Sequence, residues 1–433
     1  MAEKIEPGDL PRVSSSLSLL SRMSLMMFLQ YFVQGSYLPI ASVYLLDALG
    51  FEKWQVGVFS SAIAVGPILA PFVVGQLVDR WFSTERVMAF CHAVAGLLML
   101  GLFFQSRVWP IVVLGTAYSV LYVPTMMLSN SLAFHHLKNS DMEFPWVRLF
   151  GTLGYIVPAF VIESWWLRGL QGMELEHARG FAFALSGIVG LLMGLYCWTL
   201  PRTPPQPRQD RRYAPGFVVS MFRQRHILVL VIVSFFIAMA HNVIVSWTSP
   251  FLRAILDTGG RGAYEQRISA LGQICEIGVL VVLGLLIKKL GFKWTMCLGA
   301  AAYWLRCLLF SLVFSLDPPF AGKLALAAAG QALHGFCFGC FLAVAYMYVD
   351  RIAPPDVRGS MQTLYGTFVV ALGFFVGGFV SGLVADHFTG PSGACDWTGF
   401  WLSCAGLCAA CVFVFAVFFP GRAEPAQEAA AGS

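Results

Sequence analysis

Polar residues in this chain are gathered into short clusters, and the stretches between the clusters are apolar for some twenty residues or more. About 20 apolar residues, at 1.5 Å of rise each, cross a hydrocarbon core of ~30 Å as a helix. Inside lipid every N–H and C=O must be paired within the protein, which leaves helices or a closed barrel. Barrel strands would show segments of ~10 residues alternating in character; these runs are longer and do not alternate. The pattern predicts an all-α integral membrane protein with twelve spans, at 18–45, 55–79, 86–106, 109–134, 147–166, 180–200, 226–252, 268–288, 293–315, 322–349, 359–385 and 398–420. One interruption, 201–225, is long, polar and rich in Pro and Arg. It divides the chain into a six-span half (1–200), a linker (201–225) and a second six-span half (226–420), followed by an Ala-, Glu- and Gly-rich tail (421–433) expected to be disordered.

Composition agrees: 58% of residues are hydrophobic and 12% charged. The net charge of +5 matters through its placement. Arg202, Arg208, Arg211, Arg212, Arg223 and Arg225 lie in the linker, and Arg80, Arg86, Lys138, Lys288, Lys289, Lys293, Arg351 and Arg358 lie in connections on the same side. Basic loops face the cytoplasm, so that side and both termini are expected there. The charge is a topology signal and does not argue for nucleic acid. Loops on the other side mix signs, as in Glu163, Arg168, Glu174, Glu176, His177 and Arg179. Met1–Leu17 has no apolar core before a small-residue cleavage site and does not read as a cleaved leader. The 11 cysteines are mostly inside spans. Neither the Cys337/Cys340 pair nor the cluster of Cys404, Cys408 and Cys411 has matching ligands, so they read as small packing residues and no metal is expected.

The two halves carry a related segment at the same place. After the second span stand Gly75, Asp79 and Arg80, with Arg86 further on; after the eighth stand Gly284, Lys288, Lys289 and Lys293. Two six-helix halves related as parallel repeats are the architecture of major facilitator transporters, which rock about a midplane site. The first copy resembles that superfamily's loop signature, Gly-x-x-x-Asp-Arg. A second resemblance is Asp350, Arg351, Pro354, Arg358, Gly359 and Gln362 between spans ten and eleven. Asp79, Arg80, Arg86, Asp350 and Arg358 are expected to gate, latching helix ends together in one state. Positive-inside charge alone would explain the basic members but not Asp79.

Polar residues inside spans are costly and mark function or interhelical bonding. Residues three, four or seven apart share a helix face, and such stripes occur at Gln30, Gln34 and Tyr37; at Tyr118, Tyr122, Thr125 and Ser129; at Arg148, Thr152 and Tyr155; at Gln273 and Glu276; at His334 and Phe338; and at Gln362 and Tyr365, with Asn242 in span seven. Amides, hydroxyls and aromatic faces suit a neutral, polyhydroxylated solute with a planar ring. Glu276, about eight residues into span eight, is the candidate proton carrier. Arg306 in span nine is its candidate structural partner.

Phe28, Gln30, Gly35 and Ser36; Pro124, Thr125 and Asn130; Phe144, Pro145, Arg148, Gly151, Thr152, Gly154 and Tyr155; and Gln273 and Glu276 together resemble the bacterial nucleoside:proton symporters of the NupG type. The resemblance implies that Arg148, Thr152, Tyr155, Gln273 and Glu276 line a nucleoside pocket. It also implies that Asn242 stands for a family glutamine and His334 with Phe338 for a family aromatic pair. Gly339 and Val245 depart from it, where the family carries an aspartate and an asparagine. The expectation is a proton-coupled importer of nucleosides or a related small polar solute, in a bacterial inner membrane, acting as a monomer, with Gln30 and Gln34 also in the site. The proton is its coupling ion, and no other cofactor is expected. An exporter of drugs or metabolites is the alternative within the same architecture. A sensor on a transporter scaffold would be expected to carry soluble extensions. An enzyme would need paired acids, metal ligands or a nucleophile with its base within the spans.

Overall fold

The structure, a computed structural model, describes residues 15–80, 82–204, 224–260, 262–353 and 358–420, without the side chains of 71–80, 140, 141, 358–360 and 368. Most of the expected linker 201–225 and the whole tail 421–433 lie outside the described residues. The fold is helical: α1 Leu17–Tyr37, α2 Lys53–Arg80, α3 Thr84–Phe103, α4 Val108–His136, α5 Ser140–Val161, α6 Phe181–Cys197, α7 Arg225–Thr258, α8 Glu265–Ser315, α9 Phe320–Ile352, α10 Met361–His387 and α11 Trp397–Phe418. Among the described residues, nine segments are long and apolar enough to cross a membrane. One of them is α8, whose 51 residues are too many for one crossing. At Gly291 (φ 73°, ψ 172°) its backbone leaves the helix, in a conformation that favours glycine, and the chain turns back. Taking α8 as two spans and adding α1 and α2 gives the expected twelve. The polar residues of α1, Gln30 and Gln34 among them, dilute its apolar character.

One boundary differs in a way that matters. Span five was expected to begin at 147, just after Phe144 and Pro145, which puts Arg148 in its first turn. The helix begins at Ser140 and carries Pro145 inside it. Its first turn is held by Glu143, whose carboxylate accepts from the Ser15 amide at 2.6 Å, the Ser15 hydroxyl at 2.7 Å and the Asn139 amide at 3.3 Å. Arg148 is therefore about two turns into its helix, where one turn was expected.

Close backbone approach places α5. A Cβ at Gly35 would lie 2.3 Å from the Tyr155 carbonyl oxygen, and one at Gly154 would lie 2.2 Å from that of Phe28. Only glycine lets α1 and α5 touch there, and that contact carries Arg148, Thr152 and Tyr155 to their positions. A Gly154→Val variant is expected to lose about 1–3 kcal/mol of stability, as overpacking does. A melting temperature of the purified variant equal to that of the unaltered protein would disprove this contact. In the second half, a Cβ at Gly335 would lie 2.7 Å from the Cys275 carbonyl oxygen and from Glu276 Cα, so α9 lies directly on α8 at Glu276. The α9 backbone winds more loosely over Cys337–Ala343, as helices often do at functional sites. Three cysteine sulfurs, of Cys307, Cys404 and Cys408, meet within 4.8 Å in the core of this half.

Candidate functional site

Five of the expected residues converge between the halves. α5 of the first half faces α8 of the second, bringing Arg148 and Tyr155 within electrostatic reach of Glu276. The Arg148 guanidinium sits 4.1 Å above the Tyr31 ring, so one face is covered by an aromatic. The Glu276 side chain keeps 20% of its surface exposed, and its Oε2 lies 3.7 Å from His334 Nε2. Arg306 is not a direct partner of Glu276, because His334 stands between them. The guanidinium donates to His334 Nδ1 at 2.8 Å and to Gln331 Oε1 at 2.6 Å. The residues one helix turn apart in α9, Gln331 and His334, occupy the donors that a carboxylate would otherwise take.

Tyr155, Gln273, Gln331, His334 and Arg306 line a cavity of about 50 Å³, together with Val245, Gln266 and Ser269. That is room for a few waters and too little for a sugar with a base. Both amide atoms of Gln266, the Ser269 hydroxyl, Gln273 Oε1, Gln331 Nε2 and Arg306 Nε are buried there without a partner among the described residues. Buried polar atoms are rarely left unpaired, so this wall has hydrogen-bonding groups to offer to water or to a polar molecule. Gln266 and Ser269 were not expected here; their helix-face spacing with Gln273, at seven and four residues, was the available signal.

The remaining expected residues fall into other settings. Gln30 has no exposed surface; its amide donates to Thr125 Oγ1 at 2.8 Å and its Oε1 lies 2.9 Å from His92 Nε2. Tyr122 donates to the Gln30 carbonyl at 2.6 Å and stacks on Tyr118 at 5.1 Å. The stripes of spans one and four thus bond to each other and to His92, a partner that sequence reading missed, inside the first half. Gln34 and Thr152 are half-buried. Asn242 bridges the halves: Ser60 donates to its Oδ1 at 2.8 Å. The Phe338 ring lies 6.4 Å from that of His241, which in turn stacks at 5.7 Å on His334. Of the expected gating residues, the side chains of Asp79, Arg80 and Arg358 lie outside the described residues. Arg86 is exposed, and Asp350 accepts from Gln362 Nε2 at 2.7 Å.

A second cluster, at the end of the bundle away from the chain termini, joins the halves by charge. The buried Arg179 donates to Glu176 beside it and, at 2.6 Å, to Glu265 of the other half. Arg253 reaches Glu176 at 2.9 Å and Asp47 at 4.0 Å. The buried Glu163 accepts from the backbone N–H groups of Gln266 at 2.7 Å and Arg267 at 3.3 Å, and its charge pairs with the Arg267 guanidinium, Nε 3.2 Å away. Lys53 donates to Thr389 and Trp54 to Asp386 across the same seam. The sequence showed mixed signs in these loops but not that they interlock. Burial pushes the Asp47 carboxyl up to about 6, with the Glu176 charge adding and the Arg179 and Arg253 charges opposing. The closed end thus takes up a proton more readily than an open one would. Protonation below about pH 6 therefore favours closure, by a small amount, because the Asp47 side chain keeps 40% of its surface exposed and water screens much of the effect. In an Asp47→Asn variant that pH dependence is expected to disappear from the labelling of a cysteine placed under the seam.

The model of the family described as "Nucleoside H+ symporter" matches residues 17–424. This chain belongs to the nucleoside H+ symporter family. It is a multi-pass membrane transporter and not an enzyme. It is 27% identical to the xanthosine permease of Escherichia coli (strain K12), over 94% of this chain and 96% of that protein. It is 24% identical to the nucleoside permease NupG of the same organism, over 93% and 96%. A crystal structure of a NupG point mutant superposes with a TM-score of 0.84, covering 93% of this chain and all of that one at 22% identity. The D-xylose–proton symporter structure gives 0.73 at 13% identity, covering 93% and 98%, a likeness of fold alone. The twelve-span major facilitator architecture expected from the hydropathy pattern is therefore the fold of this family member.

Proposed function

We propose that this transporter imports nucleosides, or a closely related polar solute, by proton symport across a bacterial inner membrane. The observation that carries the reading is the meeting of Arg148, Tyr155, Gln273, Glu276 and His334 between the halves of a nucleoside H+ symporter family member. Aromatic and guanidinium faces suit a planar base, and unpaired amides and hydroxyls suit a sugar. The family's relatives named for xanthosine and nucleosides support the same class. With the basic loops and both termini in the cytoplasm, the charge-locked end faces outside, so this conformation is closed to the outside. Glu276 takes a proton when that end opens, substrate binds beside it, and both leave inward. Val245 lines the cavity and Gly339 packs towards Val279, so the Val245 departure removes a polar group from the solute's own wall.

The test is uptake of radiolabelled uridine and adenosine by cells lacking their own nucleoside carriers, with and without a protonophore. Uptake that the protonophore abolishes is the expected result. With the protein present in the membrane, no uptake of either would move the substrate to another class of polar solute. Uptake that the protonophore stimulates would favour an exporter.

A further inference from the structure

We propose that Arg306 holds His334 in one tautomer, as a fixed hydrogen-bond donor towards Glu276, which makes Arg306 a positioning residue for proton coupling. This rests on the reading of Glu276 as the coupling carboxylate. A guanidinium carries only donors and is always charged. The ring nitrogen it meets, His334 Nδ1 at 2.8 Å, must therefore present a lone pair. A neutral imidazole then keeps its proton on Nε2, the nitrogen that faces Glu276 Oε2 at 3.7 Å. A second ring proton would set N–H against N–H, so His334 cannot carry one while Arg306 stays. The 3.7 Å separation exceeds a direct hydrogen bond and closes by a small side-chain movement or through one water.

The surroundings hold this arrangement in place. Arg306 is 2% exposed and is also tied to Gln331. The Gly335 contact fixes α9 on α8 beside Glu276. Around His334, α7 presents the His241 ring, whose Nδ1 lies 2.7 Å from the Tyr303 hydroxyl. The second part of α8 presents Arg306 and Tyr303, the first part Glu276 and Gln273, and α9 itself Gln331 and Cys337; α5 contributes Tyr155 and Arg148 on the far side of Glu276. Glu276 is the carboxylate among these described residues. The consequence is a division of roles. Glu276 alone binds and releases the proton, and His334 steadies the carboxylate left behind when the proton goes inward.

The decisive experiment is 15N NMR of the purified full-length transporter labelled at histidine, with the His334 signal assigned by its loss in a His334→Gln variant. The expected result is an unprotonated Nδ1 that does not change between about pH 5 and 8, the range in which free histidines titrate. In an Arg306→Met variant Nδ1 is freed of its guanidinium, and the same signal is expected to shift and to become pH-dependent in this range or to show both tautomers. A His334 signal that titrates in the unaltered protein overturns the proposal, as does one carrying its proton on Nδ1. The unaltered protein decides alone if Arg306→Met does not fold. Uridine accumulation in proteoliposomes adds a functional readout. Arg306→Met is expected to gain a second step in its pH profile, and the double variant with His334→Gln to lose that step. An identical profile in Arg306→Met and the unaltered protein also overturns the proposal. Accumulation that survives in a Glu276→Gln variant would instead refute the underlying reading, while the NMR result stands separately.

Discussion

A Glu276→Gln transporter is expected to exchange internal for external substrate yet fail to accumulate it. The glutamine keeps the shape and the hydrogen bonds of a protonated carboxyl but cannot release a proton. A pH step of one unit is worth about 1.4 kcal/mol, so one proton per substrate supports up to about tenfold accumulation. In the variant that ratio is expected to fall to one. Proteoliposomes with an imposed pH gradient measure the accumulation, and counterflow with preloaded substrate measures the exchange. Glu276 is singled out by its position. It is the carboxylate among the described residues at the meeting of α5, α8 and α9, with Arg148 on one side and His334 on the other. Uphill accumulation by the variant would place coupling on another group. Loss of both accumulation and exchange would make Glu276 a substrate ligand before anything else.

The second large effect is expected at the opposite seam. Arg179 is fully buried between Glu176 and Glu265, one from each half of the protein. An Arg179→Leu variant leaves Glu176 and Glu265 with Arg253 alone, partly exposed and 2.9 and 3.9 Å away, in place of the buried cation between them. Breaking a buried pair by removing one partner costs about 3–5 kcal/mol. The cost falls on the conformation that brings Glu265 beneath Arg179, so the population moves towards the one in which this end is open. The measurement is labelling of a Ser249→Cys residue by a membrane-impermeant maleimide. Ser249 is buried beneath the seam and donates to the Pro39 carbonyl of the other half. Strong labelling in the Arg179→Leu background, and little without it, is the expected outcome. Equal labelling in both would show that the charge cluster does not hold this end closed. An added Glu265→Gln change removes one stranded charge and should restore part of the protection.

These two predictions draw on different levels of the molecule. Glu276 was legible in the sequence because an acid in an apolar run is expensive wherever the helix goes. Arg148, Tyr155 and Gln273 were singled out in the same way, and the fold brings them near Glu276. Gln30 was expected in the site, but a polar stripe shows that a face is polar without showing what that face meets. Here it meets His92 and Thr125 of neighbouring helices. The sequence also offered Arg306 as a candidate partner of Glu276, since charge and proximity in the chain carry no information about which donors are already taken. His334 and Gln331 take them.

The sequence by itself determined the membrane, the helices, their number and the division into halves, because each follows from the cost of unpaired backbone in lipid and from the length of apolar runs. It also determined the family, through residues whose spacing matches along most of the chain. Only the tertiary structure decided which polar residues line the cavity between the halves and which bond helix to helix. It alone joined Glu163, Glu176, Arg179, Arg253, Glu265 and Arg267 into one seam, and it set His334 between Arg306 and Glu276. Those outcomes depend on contacts between helices far apart in the chain, set by where glycines such as Gly35, Gly154 and Gly335 let backbones touch. A periodicity within one helix cannot encode them.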